Sequence, residues 1–111
     1  MAFSNRGDVY RDKGDLQRAL ADYSEAIRIN PRSAVTIGSR GAVRLKLGDT
    51  DQSLIDFEAA LSLNPRLPVA LYGRGLAKQR KGDSAGAETD LAAAKAIRPD
   101  VAMDFAKLGI E

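Results

Sequence analysis

Apolar side chains return every three or four positions along most of this chain, as at Leu54, Phe57, Ala60 and Leu61, with polar or charged residues between them. That spacing gathers the apolar groups on one face of a helix. The alternation that marks a half-buried strand is absent, so the pattern predicts helices throughout. The amphipathic stretches are short, and each ends at punctuation of one of two kinds: Gly-Asp at 14–15, 48–49 and 82–83, or a proline at Pro31, Pro65 and Pro99.

The punctuation has a fixed period of 34 residues. Gly7, Gly41 and Gly75 form one column; Arg6, Arg40 and Arg74 another; Asp22, Asp56 and Asp90 a third. Tyr23, Phe57 and Leu91 align, as do Ala26, Ala60 and Ala94. Three such units, at about 1–33, 34–67 and 68–101, account for nearly all of the 111 residues. A chain that repeats itself at this interval is an array of one supersecondary unit.

Each unit reads as two helices. In the middle repeat the first helix is predicted from Ala34 to Leu47, where Gly48 permits a left-handed stop. Asp49 caps the second helix, predicted from Asp51 to Leu63, and Gln52 completes a capping box. Pro68 suits the first turn of the next unit, where its missing N–H has no partner inside the helix. Small residues such as Gly41 and Ala60 let the helices close to about 8–10 Å, and Phe57 fills the gap between neighbouring repeats. Beyond the third unit, Asp100 is expected to cap a closing helix at about 101–109, with Val101, Phe105 and Leu108 on one stripe covering the last repeat. No matching cover precedes the first repeat, which leaves two readings: that end tolerates exposure, or the chain is a piece of a longer protein, the second being favoured.

Composition narrows the function. There is no His and no Cys, which removes the usual general base, the thiol nucleophile, the common zinc and haem ligands and any disulfide. Ser33, Ser39, Ser53 and Ser84 have no base to activate them. The expectation is a protein that is not an enzyme and uses neither cofactor nor metal. Seventeen basic residues against fifteen acidic ones are spread evenly over the repeats, so the net charge of +2 makes no nucleic-acid surface. No apolar run approaches the roughly 20 residues a membrane span needs. The absence of cysteine favours the cytoplasm, with a periplasmic or membrane-tethered parent protein as the other reading.

Gly7, Tyr10, Gly14-Asp15, Ala19, Tyr23, Ala26 and Pro31, echoed through the later units, resemble the signature of the tetratricopeptide repeat family, and the match spans nearly the whole chain. Arg44 and Lys78 depart from it where the first repeat has Tyr10, and Ser53 departs where Ala19 and Ala87 stand. The resemblance implies an all-α, right-handed α-solenoid of antiparallel helix pairs, about seven helices in all. Its concave surface, lined by the first helix of each repeat, is where such domains bind an extended peptide or a partner helix. Chaperone-binding members grip a C-terminal carboxylate with lysines, asparagines and an arginine. The matching positions here are Ser4, Asp8, Ser39, Val69 and Gly73, which cannot form that clamp, so a chaperone tail held in this way is not the expected partner.

Val69, Tyr72 and Leu76 lie at i, i+3 and i+7, opposite the face claimed by the core columns, and have no evident packing duty. With Val35, Leu45 and Gln79 they make the candidate partner-binding surface. Lys46 and Arg80 flank it to steer an acidic segment. The leading reading is an interaction module or scaffold that binds another protein, with no nucleic acid or membrane involved. Self-assembly through the uncovered first repeat, which carries Phe3 and Tyr10, is the alternative, and an RNA-binding helical repeat comes third. The Arg6, Arg40 and Arg74 column reads either as an ion-pair ladder with Asp22, Asp56 and Asp90 or as a row of anion-binding groups.

Overall fold

A computed structural model describes residues 2–110, and among these the chain forms seven helices and no strand. They are α1 (Phe3–Asp12), α2 (Leu16–Ile29), α3 (Ala34–Lys46), α4 (Thr50–Leu63), α5 (Pro68–Arg80), α6 (Ser84–Ile97) and α7 (Ala102–Ala106). The first six pair as α1 with α2, α3 with α4 and α5 with α6, and successive pairs stack through α2 on α3 and α4 on α5. The molecule measures 39 × 26 × 25 Å.

The turn within each pair is the same structure three times. Gly14, Gly48 and Gly82 take φ of 81°, 86° and 86°, a left-handed conformation that only glycine enters without cost. The following aspartate then donates its backbone N–H to the carbonyl five residues back, at Tyr10, Arg44 or Lys78, each at 2.9 Å. The same aspartates cap the next helix: the side chains of Asp15, Asp49 and Asp83 accept from the N–H groups of Arg18, Gln52 and Gly86. The expected cap at Asp100 does not form. Val101 precedes α7 with helical backbone angles and no side-chain cap, while Asp100 pairs with Arg98 instead.

Aromatic rings from the second helices meet glycines of the first. A Cβ on Gly7 would come within 2.8 Å of the Tyr23 ring, and one on Gly41 within 2.8 Å of the Phe57 ring. Phe57 also lies against Gly73 of the next repeat. The apolar interior falls into two parts. Ala19, Tyr23 and Val43 form a small cluster with Tyr10, Leu16 and Leu20. A larger one runs from Ile37 through Phe57 and Leu71 to Phe105 and Ile110. The division reflects how the first helices sit: α3 runs against α5, whereas α1 barely touches α3, and a groove opens on that side.

Candidate functional site

The groove has a volume of about 640 Å³. Its floor is Val35, Ser39 and Ala42 of α3 with Val69 of α5. Arg11 and Asp12, at the end of α1, form one wall. Phe105, Lys107 and Leu108 of the closing segment form the other, joined by Arg98 and Asp104. Val35, a large aliphatic side chain in the lining of this concavity, is 60% exposed. Arg11 pairs with both Asp8 and Asp12, and Arg98 with Asp100 and Asp104, so most charge at the rim is already matched.

The sequence-derived surface is divided by the fold. Val35 and Val69 line the open groove, but Leu45 is fully buried and Leu76 nearly so, both within the larger core cluster. Tyr72 is half-buried and stacks on Phe105, with ring centroids 5.2 Å apart, while the Lys95 ammonium sits over its other side. The expectation that Tyr72, Leu76 and Leu45 have no packing duty is therefore corrected. Leu45 and Leu76 belong to the core, and the closing segment packs on Tyr72 through Phe105 and buries Val101, Phe105 and Ile110 in the same cluster.

Lys46, Gln79 and Arg80 are exposed. The Arg80 guanidinium donates to the Leu45 carbonyl at 2.6 Å, an oxygen that also accepts from the Gly48 N–H, and so ties the end of α5 to the end of α3. Lys46 lies alongside Gly109, close enough that a Cβ there would be 2.8 Å from its Nζ. Gly109 therefore lies within reach of a side chain from the end of α3. Reading the sequence missed this approach, although one signal was present: Gly109 stands 34 residues beyond Gly75. The chain turns there, at φ 80°, where a further first helix would have continued.

The arginine column is an ion-pair ladder. Arg6, Arg40 and Arg74 each offer a two-pronged grip to Asp22, Asp56 and Asp90 respectively, with donor–acceptor distances of 2.8–3.1 Å. The family departures at Arg44 and Lys78 supply a second cation to Asp56 and Asp90, each at 2.9 Å. In the first repeat Tyr10 takes that place, under the guanidinium groups of Arg6 and Arg18. The hydrogen bond from Arg6 holds the Asp22 carboxyl below its ordinary range. Burial pushes Asp90 up, but the hydrogen bonds from Arg74 and Lys78 outweigh it and the net shift is also downward. Asp8 accepts a 2.6 Å hydrogen bond from Tyr23, whose hydroxyl is raised above its usual value first by burial and then by that bond.

Tetratricopeptide repeat models match residues 1–33 and 40–102. The chain belongs to the tetratricopeptide repeat family. Solved tetratricopeptide repeat domains share the fold. The first such domain of Spaghetti (RPAP3), bound to the HSP90 peptide SRMEEVD, has a TM-score of 0.83 at 19% identity, over 96% of this chain and 87% of that one. The Arabidopsis OM64 domain has a TM-score of 0.84 at 23% identity, over 95% and 88%. The first domain of human RPAP3 has a TM-score of 0.82 at 19% identity, over 97% and 87%. A sequence comparison with curated proteins gives no match. No helix among the described residues is long and apolar enough to cross a membrane, and no cluster of acidic side chains among them could hold a metal ion.

Proposed function

We propose that this tetratricopeptide repeat domain is a protein-interaction module that holds an extended peptide of a partner protein in the groove between α1, α3 and the closing segment. The observation that carries this reading is Val35, a large apolar side chain left 60% exposed in the lining of a groove of about 640 Å³. Leaving such a group in water forfeits part of the roughly 1.5–3 kcal/mol its burial would contribute, and a peptide side chain laid across Val35 and Val69 recovers it. Lys107 in the groove lining, with Lys46 beyond it beside Gly109, favours acidic residues flanking the apolar one.

The relative bound to the HSP90 peptide supports peptide binding in a domain of this shape. The mode of grip here differs from a carboxylate clamp. Asp8 is engaged with Tyr23 and Arg11, Gly73 is closed over by Phe57, and Ser39 and Val69 carry no charge. Self-association through α1 has less support, because the rings of Phe3 and Tyr10 are covered by guanidinium groups. An RNA-binding surface loses its anion ladder to the aspartates.

Peptides selected on the parent protein from a random display library provide the test. They should lose at least tenfold in affinity for Val35→Asp, a change that exposure at this position lets the fold tolerate. Selected peptides that bind Val35→Asp and the parent equally well would overturn the groove assignment.

A further inference from the structure

Two polar groups in the groove lining keep hydrogen-bonding capacity that their counterparts elsewhere have used. Arg6, Arg40 and Arg74 each direct Nε and one Nη to a single carboxylate. Arg11 is held differently. Its Nε donates to Asp12 at 3.3 Å and its Nη1 stands 3.3 Å from Asp8, both longer than a good charge-assisted bond, and neither Nη atom makes a hydrogen bond among the described residues. The guanidinium is nevertheless backed by the fold. It is only 28% exposed, and the Asp8 oxygen beside it is the one that accepts from the hydroxyl of buried Tyr23.

Ser39 is the second such group. The hydroxyls of Ser53 and Ser62 bond back to the carbonyls of Thr50 and Ala59 in their own helix, whereas that of half-buried Ser39 has no hydrogen-bond partner among the described residues. No buried side-chain polar atom among those residues lacks a partner, so the unbonded atoms of Arg11 and Ser39 are open to solvent, in the groove that both side chains line.

Wall and floor together define a chemistry. Arg11 sets unspent donors next to the Asp12 carboxylate, with Asp8 behind. A carboxylate placed there would join two others around one guanidinium, and an ammonium would meet the guanidinium itself. A carboxamide suits both partners at once, because its carbonyl oxygen accepts from the guanidinium while its NH2 donates to the carboxylate. Spacing follows from α3. Val35 and Ser39 are four residues apart on one face, about 6 Å along the axis. An extended chain advances about 3.3 Å per residue and turns alternate side chains to one side, so residues two apart span nearly the same distance. Helices α1 and α3 run the same way, so Arg11, in the last turn of α1, stands nearer the level of Ser39 than that of Val35 at the start of α3.

We infer that the groove reads an Asn or Gln side chain two residues from the aliphatic one that lies on Val35 and Val69. The amide carbonyl accepts from the Arg11 Nη atoms and the amide NH2 donates to Asp12, while the Ser39 hydroxyl, donor or acceptor, completes the contact. The acidic residue favoured by Lys107 belongs to the opposite wall. This selectivity rests on the groove reading and adds a second side chain of the peptide to it.

Peptides selected from a random display library on the parent protein test it, keeping those whose affinity falls on Val35→Asp. Asn or Gln should be enriched above library frequency two residues from the aliphatic position. Replacing that amide by Leu, or by the matching acid, should weaken binding to the parent about tenfold, since a site built for hydrogen bonds rejects a side chain that cannot make them. On Arg11→Met, which keeps an aliphatic stem, the amide and Leu forms should bind equally. Peptides that depend on Val35 but carry an acidic, basic or random residue at that position, or whose amide can be replaced without loss on the parent, would overturn the inference and leave the groove reading standing, whether or not Arg11→Met folds. An equal preference for the amide on the parent and on a folded Arg11→Met would overturn it as well. A library that yields no peptide sensitive to Val35→Asp would bring down the groove reading and this inference with it.

Discussion

Gly73 lies so close under the Phe57 ring that a Cβ at this position would fall 2.2 Å from Cζ. The same ring faces Gly41, where a Cβ would stand 2.8 Å from Cε1. One aromatic side chain of α4 thus sets the separation of α3 from α5, and both glycines are required by close approach and not by a turn. Gly73→Ala should destabilise the domain by about 1–3 kcal/mol, since overpacked cores relax only in part. Phe57→Leu should relieve most of that cost, making the double variant less destabilised than the sum of the two. Urea midpoints of the four proteins check the coupling; an unchanged midpoint for Gly73→Ala would remove the ring as the spacer.

The second prediction concerns Asp56, which is buried and faces both Arg40 and Arg44. Asp56→Ala leaves two guanidinium groups with mutual repulsion and no counter-ion, and should cost about 3–5 kcal/mol, towards the lower end because the arginines keep some contact with water. Arg44→Ala leaves the Arg40 grip intact and should cost about 1 kcal/mol. Arg40 also donates to Ser24 but makes no contact with Asp22, so a mutant cycle should couple Arg40 to Asp56 and not to Asp22. Coupling of equal size to both aspartates would contradict the pairing.

The repeat was readable because its glycines and aspartates do backbone work that few other residues can do. Gly14, Gly48 and Gly82 need positive φ, and the aspartates after them need a short acceptor side chain, so the turn is written in the sequence at each occurrence. Phe57 between repeats follows in the same way from its small neighbours. Arg44 and Lys78 were harder: judged by helical position alone they look like losses of an aromatic, and only the approach of Asp56 and Asp90 from the facing helix reveals them as second cations. The candidate surface was legible in half. Periodicity identified a second apolar face on α5, but it carries no information about what lies over that face. Val35 and Val69 remain at the groove, while Leu45 and Leu76 are buried in the core and Tyr72 meets Phe105 of a closing segment that turns at Gly109.

The third prediction is the pH dependence of stability. Asp22 and Asp90 both titrate lower in the folded chain than when unfolded. The unfolded state therefore binds protons more readily, and the stabilisation from these groups is complete above the unfolded carboxylate value, near pH 4, and is lost as pH falls through the folded values. Denaturant midpoints should be flat between about pH 7 and pH 5 on this account and decline below about pH 4. Asp90→Asn should start lower at neutral pH and decline less steeply; a parallel decline in the variant and the parent would mean that Asp90 contributes nothing to the acid limb.

The last prediction separates two cations that look equivalent in the sequence. Lys46 and Arg80 occupy the same column, each near the end of a first helix and each exposed. Arg80 reaches across to the Leu45 carbonyl, which shares its oxygen between the guanidinium and the Gly48 N–H, and its positive charge also opposes the negative end of the α3 dipole. A hydrogen bond from a charged donor to such an acceptor is worth about 1.5–3 kcal/mol, and partial exposure of the guanidinium takes it to the lower end. Lys46 donates to no acceptor among the described residues and lies beside Gly109. Arg80→Ala should therefore lower the denaturant midpoint by an amount equivalent to about 1–2 kcal/mol, whereas Lys46→Ala should stay within about 0.5 kcal/mol of the parent. Binding divides the other way: for a peptide selected on the parent, Lys46→Ala should slow association and flatten its salt dependence, while Arg80→Ala at a temperature where it is fully folded should leave both nearly unchanged. If the two substitutions weaken association equally and neither moves the midpoint, Arg80 is a free rim charge and its bond to Leu45 contributes nothing to holding α5 on α3.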